Sequence, residues 1–218
     1  MPNWCSNRLK VEGDPDALAA FIAQAKSNPD GKISVDGDSP VLSFGAFFSI
    51  PADLREVESR AGLRDRNTPL SAHLAARQRL MVSVDPVESG EISSEMMFGD
   101  DKLDWYNWSI REWGTKWDID GSDETTIVDQ DESSITYDFS TAWGPPQAFL
   151  RRLAAAYPVL TFTMLWSEQG VGAYGLVSFV DGALWSHEDW DGEVAKERFT
   201  EHDWPEAYYD DEEEDGEV

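Results

Sequence analysis

Residues 125–157 read TTIVDQDESSITYDFSTAWGPPQAFLRRLAAAY, and the order of elements in this stretch decides the fold. Thr125–Asp129 and Ser134–Trp143 are rich in β-branched and aromatic residues, and Asp131–Ser133 between them has turn composition, which predicts two paired strands. Gly144, Pro145 and Pro146 break the second strand and start a helix. On that helix Phe149, Leu150, Leu153, Ala154 and Tyr157 share a face, Arg151 and Arg152 point outward, and Pro158 stops it.

On the C-terminal side, Thr161–Glu168 is a strand, Tyr174–Val180 pairs back across a glycine-containing turn, and Ala183–Trp185 adds a short strand. On the N-terminal side, residues 4–12 form a strand with Leu9 and Val11 on one face and Arg8, Lys10 and Glu12 on the other. Asp14 caps a following helix with Pro15 in its first turn, and Leu18, Phe21, Ile22 and Ala25 recur at the spacing of a buried face. The order strand, helix, strand, strand, helix, strand is that of a ferredoxin-like βαββαβ unit. The expected fold is therefore α+β: an antiparallel sheet with helices on one face, a large insertion after the first helix and an added C-terminal hairpin.

The insertion covers about 31–104. Within it Val41–Ile50 reads as an apolar strand, Asp53–Ala61 and Pro69–Val82 as helices, and Val84–Asp101 as loop. Four tryptophans follow in residues 105–118. Tyr106, Ile110 and Trp113 fall on one helical face with Trp105 and Trp108 on its flank, Gly114 ends the helix, and Thr115–Ile119 turns extended, Trp117 and Ile119 facing one way. Indoles bury large apolar areas, so Trp4, Trp105, Tyr106, Trp108, Trp113, Trp117 and Trp143 are expected to form an aromatic junction between insertion and sheet; an exposed recognition platform is the alternative. Residues 1–189 are expected to form one ferredoxin-like domain and residues 190–218 an acidic, flexible tail.

Charge limits function. The 218 residues hold 43 Asp and Glu against 17 Lys and Arg, a formal charge of −26, on a globular composition of 41% hydrophobic residues. Residues 181–218 alone carry −14. Such a field repels nucleic acid and anionic membranes and attracts basic partners. Cys5 is the single cysteine, so an intrachain disulfide and a thiolate metal cluster are excluded, and a reducing cytoplasm is expected. The N-terminal residues do not have the pattern of a signal peptide, and no apolar run is long enough to span a membrane.

Chemical motifs fail on their context. Gly170-Val171-Gly172-Ala173-Tyr174-Gly175 has the letters of a dinucleotide-binding loop, but the strand that follows reads it as a hairpin turn. Asp118-Ile119-Asp120-Gly121-Ser122-Asp123 lacks the glycine and the bidentate acid of a calcium loop. His187-Glu188-Asp189-Trp190-Asp191 lacks the second histidine of a zinc protease motif, and Cys5 has no histidine neighbour in sequence. No catalytic residue, metal ligand or cofactor is assigned.

Several segments together resemble a known family: Met1-Pro2-Asn3-Trp4-Cys5-Ser6-Asn7, Phe44–Pro51, Trp105-Tyr106-Asn107-Trp108, Trp113-Gly114-Thr115-Lys116-Trp117-Asp118, Thr141-Ala142-Trp143-Gly144-Pro145-Pro146 and Tyr157-Pro158. They are similar to the YubB-type ferredoxin-like proteins encoded on plasmids and phages. The resemblance spans residues 1 to 180 and implies a ferredoxin-like topology and a mobile-element origin, with no catalytic set to carry over. With one cysteine the chain cannot supply four thiolates to an iron–sulfur cluster.

The functional expectation is a non-catalytic interaction protein of a phage or plasmid, a DNA mimic whose acids occupy a basic nucleic-acid-binding host protein such as a restriction or CRISPR effector. Candidate partner-binding residues are Asp118, Asp120, Asp123, Glu124, Asp189 and Asp191. Two other readings stand beside it: a metal-dependent hydrolase or nuclease built on Asp118, Asp120 and Asp123, and a scaffold module binding through a tryptophan patch.

Overall fold

The computed structural model describes residues 3–27, 41–55, 105–119 and 125–207. The chain divides into a larger unit, residues 1–49 with 109–218, and a smaller one, Ile50–Trp108. In the smaller unit the described elements are a short helix, Ala52–Arg55, and the first residues of a helix that runs to Trp113. The expected helix from Pro69 to Val82, the loop at 84–101 and most of the expected helix at 53–61 lie outside the described residues.

In the larger unit β1 (Trp4–Gly13) leads into α1 (Pro15–Ala25), where Oδ1 of Asp14 accepts from the amides of Asp16 and Ala17 at 3.0 and 3.1 Å. The short helix α2 is Phe44–Phe47, so the helices at Ala52–Arg55 and Trp105–Trp113 become α3 and α4. Then come β2 (Thr126–Gln130), β3 (Ser134–Ala142), α5 (Gln147–Ala156), β4 (Leu160–Glu168), β5 (Ala173–Val180), β6 (Ala183–Trp190) and α6 (Gly192–Glu201).

The sheet order is β2-β3-β1-β4-β5-β6, each neighbouring pair antiparallel. The first four strands are the ferredoxin-like arrangement, with β1 central between β3 and β4, and β5 and β6 continue the sheet as the added hairpin. Gly170–Gly175 is the turn into that hairpin: a 3₁₀ turn at Gln169–Val171 closes on Gly172, whose φ of 65° suits glycine, and β5 starts at Ala173.

Strand alternation separates the two faces. Toward α1 and α5 point Leu9, Val11, Ile135, Tyr137, Phe139, Phe162 and Met164, all buried, against Leu18, Phe21, Phe149, Leu150 and Leu153. Aromatic contacts tie this layer together. Phe44 lies 4.3 Å from Phe149 and 6.0 Å from both Phe139 and Trp113, ring centroid to ring centroid, and Phe21 meets Phe162 edge-on at 5.8 Å.

Four expectations are corrected. Val41–Ile50 is not a strand, because Ser43 and Asp118 cap a helical turn at Phe44 that an extended run could not form. On α4 the buried residues are Trp108, Ser109 and Trp113, while Tyr106 and Ile110 are half-buried, so the stripe is rotated from the expected one. Gly114 does end α4, with φ 84° and its amide on the Ile110 carbonyl at 3.0 Å. After it, Ile119 is buried and Trp117 exposed, so the two do not share a face.

The fourth correction concerns the tail. Over residues 190–207 the expected flexible tail is replaced by α6 and a 3₁₀ turn at Pro205–Ala207, and the rest of that expectation, 208–218, lies outside the described residues. Ala195 and Phe199, four residues apart, form an apolar stripe that packs with Trp204 and Ala207 on Leu165, Tyr174, Leu176 and Trp190. Helices therefore cover both faces of the sheet: α1 and α5 on one, α6 on the β4-β5-β6 half of the other.

Candidate functional site

The second face of the sheet is polar where α6 does not cover it. Pairing puts Ser140, Ser6 and Ser167 in one row across β3, β1 and β4, and Asp138, Arg8 and Leu165 in the next. Arg8 is nine-tenths buried and forks onto Asp138, Nε to Oδ1 at 2.8 Å and Nη2 to Oδ2 at 2.7 Å. Its remaining nitrogen, Nη1, donates to the Asp203 carbonyl at 2.6 Å, and its guanidinium lies 5.2 Å from the Trp204 ring centroid.

These contacts hold the segment after α6 against the sheet. Ser167 Oγ donates to the Ala207 carbonyl at 2.6 Å, and Gln169 Nε2 donates to the same oxygen at 3.1 Å. Between this clasp and the strands is a cavity of about 400 Å³, with the serine row in its floor, Trp204 and Ala207 in one wall, and Asn3, Trp4, Glu168 and Gly170 toward its end. The arrangement supplies hydroxyls, amides, indole faces and the Arg8-bound carboxylate of Asp138, while the carboxylate of Glu168 is fully buried. It offers acceptors, donors and ring faces for binding.

The aromatic junction divides. Trp108 and Trp113 are buried, and Trp113 Nε1 donates to the Phe48 carbonyl at 2.9 Å. Trp105 and Tyr106 are half-buried, in edge contact with each other at 5.9 Å. Trp4, Trp117 and Trp143 are exposed at 55, 38 and 40%, which corrects their place in a buried core. Trp4 and Trp117 lie 6.2 Å apart, Lys116 Nζ sits 4.2 Å from the Trp117 centroid, and Trp143 has a φ of 75°, a left-handed conformation that costs a bulky residue energy.

Among the candidate partner-binding acids, Asp118 has a structural role. Its Oδ1 accepts from the amides of Phe44 and Ile119 at 2.7 and 2.8 Å, and its Oδ2 from the Gly45 amide at 2.7 Å and Ser43 Oγ at 3.1 Å. Four donors occupy the acceptor sites of one carboxylate, so Asp118 is not available as an outward binding group. Asp191 caps α6, accepting from the Val194 amide at 3.0 Å, and remains exposed. Asp189 is exposed, with Oδ1 3.7 Å from His187 Nε2. Asp120, Asp123 and Glu124 lie outside the described residues. Among the described residues no three His, Cys, Asp or Glu side chains group as a metal site.

A row of acids on α6 escaped sequence reasoning. Glu193, Glu197 and Glu201 are all exposed at four-residue spacing, about 6 Å apart along the axis, opposite the stripe that buries Phe199. Arg198 partly neutralises one end of the row: it bonds Glu201 at 3.0 Å and approaches Glu188 at 3.8 Å, and the hydrogen bond and charge of Glu201 push its pKa up. The signal available in the sequence was Ala195–Phe199, a spacing of four behind the capping Asp191.

Fold and surface define a ferredoxin-like α+β protein with an extended sheet, an acidic outer helix and a polar cavity on the sheet's second face. Residues 113–215 match the family model described as a ferredoxin-like domain in Api92-like protein. Among solved structures the chain is similar to the crystal structure of a protein api92 from Yersinia pseudotuberculosis, at 12% identity and a TM-score of 0.45, covering 87% of this chain and 98% of that one. No curated protein matches the sequence significantly. No helix among the described residues is long and apolar enough to cross a membrane.

Proposed function

We propose that this is a non-catalytic interaction protein of a phage or plasmid, acting in the host cytoplasm, whose carboxylates imitate nucleic acid phosphates and occupy a basic nucleic-acid-binding host protein such as a restriction or CRISPR effector. The observation that carries the proposal is the anchored row Glu193, Glu197 and Glu201, on a helix whose other side is packed by Ala195 and Phe199. A mimic needs acids held in place as well as a large charge, and these acids stand on a docked helix of a chain with net charge −26. One charge per about 6 Å is sparser than a DNA strand, at one per ~3.4 Å, and the exposed Asp191 and Asp203 at the two ends of the helix add to the row.

The test is affinity capture from host lysate at low and moderate salt, comparing the native chain with Glu193→Gln/Glu197→Gln/Glu201→Gln. The proposal expects a nucleic-acid-binding protein at low salt, lost at the higher salt and depleted by the triple substitution. Capture that ignores both salt and the substitutions sinks it. The exposed indoles of Trp4, Trp117 and Trp143 favour a second reading, a scaffold module that binds through apolar contact. It predicts capture that persists with salt and is lost on Trp117→Ala with the fold intact.

A further inference from the structure

The cavity on the second face of the sheet offers a ligand neither sign of charge. Arg8 takes both oxygens of Asp138, at 2.8 and 2.7 Å, and the carboxylate of Glu168 has no exposed surface. No lysine, arginine or histidine lines the cavity among the described residues. A charged ligand would give up hydration there with no counter-charge to replace it, and an anion would in addition meet the field of a chain of net charge −26.

What the cavity does offer is neutral and two-sided in hydrogen bonding. Asn3, Ser6 and Ser140 line it, each with a side chain that both donates and accepts, and none of these side chains bonds another described residue. Ser6 and Ser140 are directly paired across β1 and β3, which sets their Cα atoms about 4.5 to 5.5 Å apart. Trp4 stands two residues before Ser6 on the same face of β1. Its indole is 55% exposed, and contact with Trp117, 6.2 Å away between centroids, restrains the ring. A purely apolar ligand would cover the serines and the asparagine without satisfying them. A ligand with hydroxyls around its edge and an apolar C–H face satisfies both sets of groups: the hydroxyls exchange hydrogen bonds with the side chains, and the C–H face lies on the indole.

We propose that this cavity binds a neutral sugar through one pyranose unit, its hydroxyls on Asn3, Ser6 and Ser140 and one ring face on Trp4. The volume of about 400 Å³ lies toward the small end of ligand pockets, roughly 300 to 1,000 Å³, and suits a mono- or disaccharide. None of the α6 acids lines the cavity, so the site does not rest on the mimicry proposed above. The probes are the methyl glycosides of glucose, galactose, mannose and N-acetylglucosamine, titrated into the full chain. Sorbitol, which has the hydroxyls without the ring, and cyclohexanol, which has the ring without the hydroxyl array, are the controls. The readout is the indole Nε1–H resonance of Trp4, assigned by Trp4→Phe.

The expected result is a saturable shift with at least one glycoside, half complete at about 10 mM or below, and no saturable shift with either control. The double substitution Ser6→Ala/Ser140→Ala removes two hydroxyls and is expected to weaken binding about tenfold or more, with an unchanged backbone amide spectrum certifying the fold. Should the serine pair prove necessary for folding, Asn3→Ala keeps the test and is expected to weaken binding about threefold or more. No saturation by any glycoside, an equal response to sorbitol or cyclohexanol, or full binding by the folded variants overturns the proposal. A stronger response to N-acetyl-tetraproline amide than to every glycoside also overturns it, by assigning the indole and its neighbours to an extended peptide.

Discussion

The carboxylate of Asp118 accepts from the amides of Phe44, Gly45 and Ile119 and from Ser43, so its removal leaves two amides at the start of α2 without their acceptor. Asp118→Ala is expected to lower stability by about 2 kcal/mol, read as a lower urea midpoint with an unchanged slope. An unchanged midpoint would show that α2 holds without its cap. Asp131 is set by its turn in a similar way. The backbone amide of Ser133 above all, then the Ser133 hydroxyl and the Ser134 amide, hold its carboxyl below the usual 3.8. A depressed folded pKa adds stability that is complete above the unfolded value and disappears as pH falls through the folded value. The stability gap between the native chain and Asp131→Asn should therefore be full above the ordinary carboxylate range and close as pH falls through and below it, as measured by urea unfolding at a series of acid pH values. The Asp131 turn was legible in the sequence because its donors are two and three residues away. The donors of Asp118 on α2 lie more than seventy residues away, and no local pattern announces them.

Elements with long periodic patterns were readable and short ones were not. Helix α5 shows its buried Phe149, Leu150, Leu153 and Ala154 in the sequence, with two prolines before it and one after. Helix α6 shows only Ala195 and Phe199 among acids, a stripe too narrow to outweigh a composition that reads as solvated tail. Its docking depends on Phe199, which is fully buried and meets Tyr174, Trp190 and Trp204 edge-on at 6.1, 5.5 and 5.4 Å. Phe199→Ala should cost about 3 to 4 kcal/mol and speed hydrogen exchange in residues 192–201 ahead of the rest of the sheet. Uniform exchange across sheet and helix would mean that α6 is not a separately docked layer. Helix α2 is the opposite failure: its four residues sit in an apolar run that has no period to distinguish turn from strand.

For the whole molecule, the acidic C-terminal region has two parts with different consequences. A chain ending at Ala207 loses seven acids and no base but keeps every residue of the α6 layer, so its thermal midpoint should match that of the native chain while its capture of basic partners weakens only in part. A chain ending at Asp189 also loses Trp190, Ala195, Phe199, Trp204 and Ala207, and exposes Leu165, Tyr174 and Leu176 to water. It should be less stable and aggregate, visible as a lower thermal midpoint and scattering on heating. Equal midpoints for the two truncations would remove α6 from the fold. Strand edges follow the same economy of charge: β2 carries Asp129 beside an irregular pairing, and β6 carries Glu188 and Asp189, which discourages further strand addition.

The sequence by itself determined the βαββαβ order, the caps at Asp14 and Gly114, the hairpin at Gly170–Gly175 and the scale of the acidic field. These follow from alternation, helical spacing, turn chemistry and total charge, which are local or additive. Only the tertiary structure decided the rest. It turned Asp118 inward, left Trp4, Trp117 and Trp143 in solvent, laid α6 on the second face, and aligned Ser140, Ser6 and Ser167 beneath the clasp formed by Arg8, Ser167 and Gln169. Those outcomes depend on strand register and on which distant donor or apolar face reaches a residue first, and a linear pattern contains neither.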